Sequence, residues 1–116
     1  MHWLGILRSW LTGPDLAAAA EQIAIRNRTA VWQRIQHRAG ELGLAEARGY
    51  VRVKASQLVR AAVDRELDVH GSTHEAQRSQ LEQLAMEAVL RLAVMDTMNA
   101  QRTEGAKRYL QTRRAA

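Results

Sequence analysis

Residues 84–98 read LAMEAVLRLAVMDTM, and Glu87, Arg91 and Asp96 are the only charged residues among them. No glycine or proline interrupts the stretch, and its alanine, leucine and methionine residues favour helix. A helix that is apolar on every side has to be covered on every side. A three-helix bundle covers only one broad face of each helix. We therefore expect a further element, from this chain or from a second copy, to cover the rest.

Turn signals on either side of this stretch divide the chain into helices. Pro14 favours a helix start, because proline fits the first helical position. Gly40 and Gly43 mark a turn, where we expect glycine to take a positive φ at the end of a helix. Ser72 and Glu75 form a capping box, in which each side chain satisfies a free backbone amide of the other. These signals predict bundle helices over residues 14–39, 44–70 and 73–114.

Apolar residues recur every three or four positions along the first two helices, which predicts one buried face on each. The inner positions of the first helix are Leu16, Ala20, Ile23, Ala30, Val31 and Ile35. Those of the second are Ala47, Val51, Ala55, Leu58, Ala62 and Glu66. The predicted fold is all-α: one domain over residues 1–116, built as an antiparallel three-helix bundle with a short amphipathic N-terminal helix and a long third helix.

Residues 1–12 form a separate element, a short amphipathic helix. At about 100° per residue, one side of this helix carries all its large apolar side chains. They are Trp3, Leu4, Ile6, Leu7, Trp10 and Leu11. An apolar surface of this kind is normally covered. We expect the segment to dock on its own bundle, on another protein chain, or peripherally on a membrane surface.

The composition argues against most kinds of catalytic, cofactor-binding or metal-binding site. The chain has no cysteine, which removes disulfides and thiolate metal ligands. It has no glycine-rich phosphate loop and no nucleophile elbow, and Gly71 separates His70 from His74. We expect no enzymatic activity, no cofactor and no metal site. The chain lacks both a signal-peptide pattern and a run of about 18 apolar residues, so we expect a cytoplasmic protein.

The positive charge is concentrated at the C-terminal end. The net charge is +5, and residues 101–116 hold five basic residues against Glu104. Four of the basic residues offer contacts to phosphate groups, namely Lys107, Arg108, Arg113 and Arg114. A nucleic-acid-binding helical protein is therefore the alternative interpretation.

Taken together, these features favour a non-enzymatic helical interaction or scaffold protein. We expect it to form a homo-oligomer or to dock another protein. Trp3, Leu7 and Trp10 would anchor against the apolar third helix of another subunit. The expected receiving residues are Met86, Leu90 and Val94. Truncating a buried aromatic residue costs roughly 3–5 kcal/mol, so each buried tryptophan would contribute several kcal/mol to such a contact.

Overall fold

The computed structural model describes residues 13–70 and 75–115. This part consists of three helices, α1 (Gly13–Ala39), α2 (Leu44–His70) and α3 (Glu75–Ala115). Each helix packs against the other two, and the described residues contain no strand. The all-α helical bundle is confirmed. The predicted helix over 1–12 and the cap residue Ser72 lie outside the described residues.

The helix bounds agree closely with those predicted. α2 has the expected limits, α1 begins one residue earlier and α3 ends one residue later. The predicted start of the third helix at residue 73 lies outside the described residues. α3 continues through Gly105, although glycine in a helix costs about 1 kcal/mol relative to alanine. A side chain at Gly105 would meet no atom within 4 Å. This glycine therefore neither breaks the helix nor serves a close packing contact.

The turn between α1 and α2 differs from the expectation. Neither Gly40 nor Gly43 has a φ in the left-handed region, so the predicted positive φ is wrong. The backbone N–H of Glu41 donates to the carbonyl of Arg38 at 3.0 Å. Such a bond between residues three apart closes the helix end with right-handed backbone angles. The N–H of Ala47 then donates to the carbonyl of Gly43 at 2.8 Å, which starts α2.

The core follows the predicted stripes of α1 and α2. All the inner positions named above are buried except Ala30, Leu58 and Glu66, which are half-buried. α2 also buries Val59, Val63 and Leu67, which lie beside its predicted stripe. The reason is that α2 packs against two helices, so it buries a wider arc than a single stripe.

α3 is covered on one side only. Its buried residues are Leu81, Ala85, Ala88, Val89, Leu90, Ala93 and Thr97. The Thr97 hydroxyl donates to the carbonyl of Ala93 at 2.8 Å, which satisfies this buried polar group. Met95 and Met98 are each 48% exposed. α1 and α2 therefore leave open one apolar side of the helix.

Candidate interaction surfaces

Two ion pairs join α1 to α3. Arg28 donates twice to Asp96, from Nε to Oδ2 at 3.0 Å and from Nη2 to Oδ1 at 2.6 Å. Arg91 donates to the carboxylate of Glu21. The hydrogen bond and the charge of Asp96 raise the pKa of Arg28 above its ordinary value. Stability from a raised pKa is lost only as pH rises through that pKa, so this shift adds no pH dependence near neutrality.

An apolar stripe on α1 follows the same edge as these ion pairs. Glu21, Ile25, Arg28 and Trp32 are spaced four, three and four residues apart, which places them on one face of the helix. Because Glu21 and Arg28 reach α3, Ile25 and Trp32 lie along the edge that faces α3. Ile25 is 55% exposed, and Trp32 is half-buried against the core.

A matching stripe lies on α3. Arg91, Met95 and Met98 are spaced four and three residues apart, and Arg91 contacts α1. Leu84 lies seven residues before Arg91 on the same side and is half-buried. We call the stripes of the two helices together the α1–α3 apolar face. It consists of Ile25, Trp32, Leu84, Met95 and Met98.

The predicted partner residues on α3 lie towards α2, on a row that Met98 continues four residues after Val94. Met86, Leu90 and Val94 are four residues apart and face α2. Met86 lines a cleft with Arg52 and Val59 of α2. Val94 is half-buried near the start of α2.

Leu90 is 2% exposed and belongs to the core, so it offers no surface to a partner. The prediction is wrong for this residue, because the core of the same chain already buries it. Trp3, Leu7 and Trp10 lie outside the described residues. Met95 and Met98 are the exposed methionines that the sequence analysis did not single out.

A small cavity lies at the end of the bundle where α1 turns into α2. Its volume is about 250 Å³. Its lining residues are Leu42, Leu44, Ala47, Val94, Thr97, Met98 and Gln101. This is below the roughly 300–1,000 Å³ typical of ligand pockets. It fits a protruding side chain better than a cofactor, and Met98 connects it to the α1–α3 apolar face.

The last part of α3 projects beyond the bundle. Gln101 Nε2 donates to the carbonyl of Ala39 at 3.2 Å, which marks the level at which α1 ends. α3 then continues to Ala115, about 21 Å further. All side chains over residues 101–114 are exposed. This free end carries the four predicted phosphate-contacting residues, Lys107, Arg108, Arg113 and Arg114, together with exposed Tyr109 and Leu110.

The structure also brings together basic and aromatic residues of α1 and α2 that the sequence analysis did not predict to meet. The Arg38 guanidinium lies 5.3 Å and the Lys54 ammonium 5.6 Å from the centre of the Tyr50 ring. The Tyr50 hydroxyl is 3.4 Å from His37 Nε2, and Arg34 Nη1 donates to the carbonyl of Lys54 at 3.4 Å. A cation over an aromatic ring near the protein surface contributes about 0.5–1 kcal/mol. We call these five residues of α1 and α2 the basic–aromatic cluster.

Several kinds of site are not found in this part of the protein. Residues 13–70 and 75–115 hold no group of three or more His, Cys, Asp or Glu placed to bind a metal ion. Over the same residues, no helix has the length and apolar character needed to cross a membrane. No protein-family model matches the sequence, and no curated protein or solved structure is significantly similar to it.

Proposed function

We propose that this chain is a non-enzymatic helical interaction or scaffold protein that self-associates, or docks another protein, through the α1–α3 apolar face. One observation carries the proposal. Met95 and Met98 are each 48% exposed and lie three residues apart on α3, whereas the large exposed apolar residues of α2, Leu44, Val53 and Val69, are spread along that helix. Contiguous exposed apolar side chains mark protein contacts more often than scattered ones do. Methionine suits such a contact, because its flexible thioether adapts to aromatic partners.

The proposal includes an antiparallel arrangement, in which α2 runs opposite to α1 and α3. The Arg26–Glu66 ion pair, at 3.9 Å, and the contact between His37 and Tyr50 support it. From the first contact to the second, the residue number rises from 26 to 37 along α1 and falls from 66 to 50 along α2. The two helices therefore run in opposite directions. Between α1 and α3 the residue numbers rise together, since Glu21 pairs with Arg91 and Arg28 with Asp96. The α1–α3 groove is then flanked by helices that run in the same direction.

We propose residues 1–12 of a second subunit as the segment that docks in this groove. Their apolar side would present Trp3, Leu7 and Trp10, and tryptophan is the residue type most enriched among interface anchors. Placement on another subunit is supported by the distance from Gly13 to the Met95 end of the face. Trp3 lies ten residues before Gly13, which is about 15 Å as helix. The level of Arg28 and Asp96 lies fifteen residues beyond Gly13, about 23 Å along α1.

Light scattering at several protein concentrations tests this proposal. We expect a mass of two or more chains of 13.0 kDa each. We expect Trp3→Ala combined with Trp10→Ala to weaken association while circular dichroism shows unchanged helix content. Apolar association should persist in about 0.5 M salt. Unchanged association of the double variant would contradict the assignment of the N-terminal segment, and a monomeric wild type would contradict self-association.

The second candidate is nucleic-acid binding by the free end of α3. It is favoured by the exposure of Lys107, Arg108, Arg113 and Arg114, which have no carboxylate partner among the described residues. Phosphate binding falls steeply with ionic strength, whereas apolar docking does not. Binding of wild-type protein to anionic lipid vesicles would instead support a peripheral membrane contact of the N-terminal segment.

A further inference from the structure

Some cations of this bundle pair with carboxylates of another helix, and others do not. Arg26, Arg28, Arg78 and Arg91 each face a carboxylate of another helix. Arg34, Arg38 and Lys54 of the basic–aromatic cluster do not. Their contacts are the Tyr50 ring and a backbone carbonyl, and no carboxylate among the described residues lies within 4.0 Å of them. Three cations are thus held together by neutral groups, and their charge is not compensated by any close carboxylate.

The contacts also fix where these cations lie. Arg34 and Arg38 are one helical turn apart, about 6 Å along α1. Lys54 lies across the groove on α2, tied to Arg34 through its carbonyl and to Arg38 through the shared ring. Glu46 precedes Tyr50 by one turn and is the acidic residue nearest along that edge of α2. Glu41 follows Arg38 by three residues and, together with His37 of the cluster, lines a groove beside α3.

We propose that the basic–aromatic cluster binds the phosphate backbone of a nucleic acid strand. Guanidinium groups bind phosphate with paired hydrogen bonds, and successive phosphates along a strand match several cations along a groove better than a single small anion does. None of the five cluster residues is an aliphatic side chain of the kind that a membrane-surface helix inserts among lipids, and the neighbouring exposed Val53 is a single residue of that kind. Tyr50, its aromatic residue, is half-buried against the core.

This site is independent of the proposed self-association. Ile25 and Arg34 are nine residues apart, which is a rotation of about 180° around α1. The cluster and the α1–α3 apolar face therefore lie on opposite sides of α1. A subunit docked on one side leaves the other side open to a strand. Failure of either proposal leaves the other standing.

Fluorescence anisotropy with labelled strands of about 20 nucleotides tests the proposal, first in about 50 mM salt and then up to about 200 mM. The probes are single-stranded DNA, single-stranded RNA and duplex DNA. The decisive variant combines Arg34→Gln, Arg38→Gln and Lys54→Gln. Its matched control combines Arg60→Gln, Arg65→Gln and Arg102→Gln, which removes the same charge from elsewhere on the described surface.

We expect the cluster variant to bind about tenfold or more weakly. The slope of log binding constant against log salt concentration should become shallower by an amount that corresponds to about two to three lost phosphate contacts. The control should lose less than about threefold, since only long-range attraction changes. Glu46→Lys should tighten binding without removing any existing contact, which keeps the test valid if the triple variant fails to fold.

Four outcomes would overturn the proposal. One is equal loss in the two triple variants, which would reflect net charge alone. Another is the absence of wild-type binding in low salt. A third is loss only when Lys107, Arg108, Arg113 and Arg114 are changed to glutamine, which would place the site on the free end of α3. The last is binding to anionic vesicles but to none of the three nucleic acids.

Discussion

The two parts of α3 are one continuous helix, but different forces hold them. Residues 75–100 bury Leu81, Ala85 and Leu90 against α1 and α2. Residues 101–114 are exposed on every side and contact little beyond the end of α1. Tertiary packing therefore stabilises the first part, whereas the second depends on helix propensity and on charge at its C-terminus. Met95 and Met98, the exposed large apolar side chains of the first part, lie just before the boundary between the two parts.

The largest expected effect is a difference in the free energy of unfolding between substitutions in the two parts of α3. Leu90→Ala should lower the free energy of unfolding by about 2–5 kcal/mol, because it leaves a cavity in the core. Leu110→Ala, the same change on the free end, should alter it by less than about 0.5 kcal/mol. Urea unfolding followed by circular dichroism measures both. Equal losses would mean that the free end packs as tightly as the core.

The next largest effect is on self-association through Met95 and Met98. Met95→Lys combined with Met98→Lys should weaken self-association about 100-fold or more, because two charges would have to be buried at the contact. Stability of the monomer should hardly change, as both side chains are half exposed. The matched control is Tyr109→Lys with Leu110→Lys on the free end. If the control weakens association as much as the test variant, the contact lies along the free end instead.

A smaller effect should appear in the free end itself. Gly105→Ala should favour helix there by up to about 1 kcal/mol, since the added methyl group meets no atom. Amide hydrogen exchange over residues 106–114 should slow by up to about fivefold. Ala106→Gly should have the opposite effect. Unchanged exchange in both variants would show that propensity does not govern this part of α3.

The smallest effect concerns the ion pairs beside the apolar face. Asp96→Asn should lower the thermal midpoint slightly in low salt, because Arg28, which is exposed, loses the charge of its half-buried partner. The difference should shrink in about 1 M salt, where the Debye length is about 3 Å. A loss of stability that persists in high salt would contradict an electrostatic origin.

The sequence predicts the helices well because their signals are local. Proline, glycine and the three- to four-residue apolar spacing place the bounds of α1 and α2 within one residue, and the spacing also predicts most of their buried positions. The exposed side of α3 could not be predicted in the same way. Residues 84–98 are apolar all round, so periodicity does not show that Leu90 faces the core and Met95 does not.

The basic–aromatic cluster could not be predicted from local sequence patterns, for a different reason. Arg34 and Arg38 are spaced one turn apart, as are Tyr50 and Lys54, and each pair is visible in the sequence. What brings them together is the register between α1 and α2. That register depends on which residues of the two core stripes lie opposite each other.

The most direct test of self-association is the solution mass of the wild type beside that of the Met95→Lys, Met98→Lys variant. Light scattering should give at least twice the 13.0 kDa chain mass for the wild type and a single chain for the variant at the same concentration. A wild type that remains at 13.0 kDa across the concentration range would contradict the account. So would a variant that assembles as the wild type does.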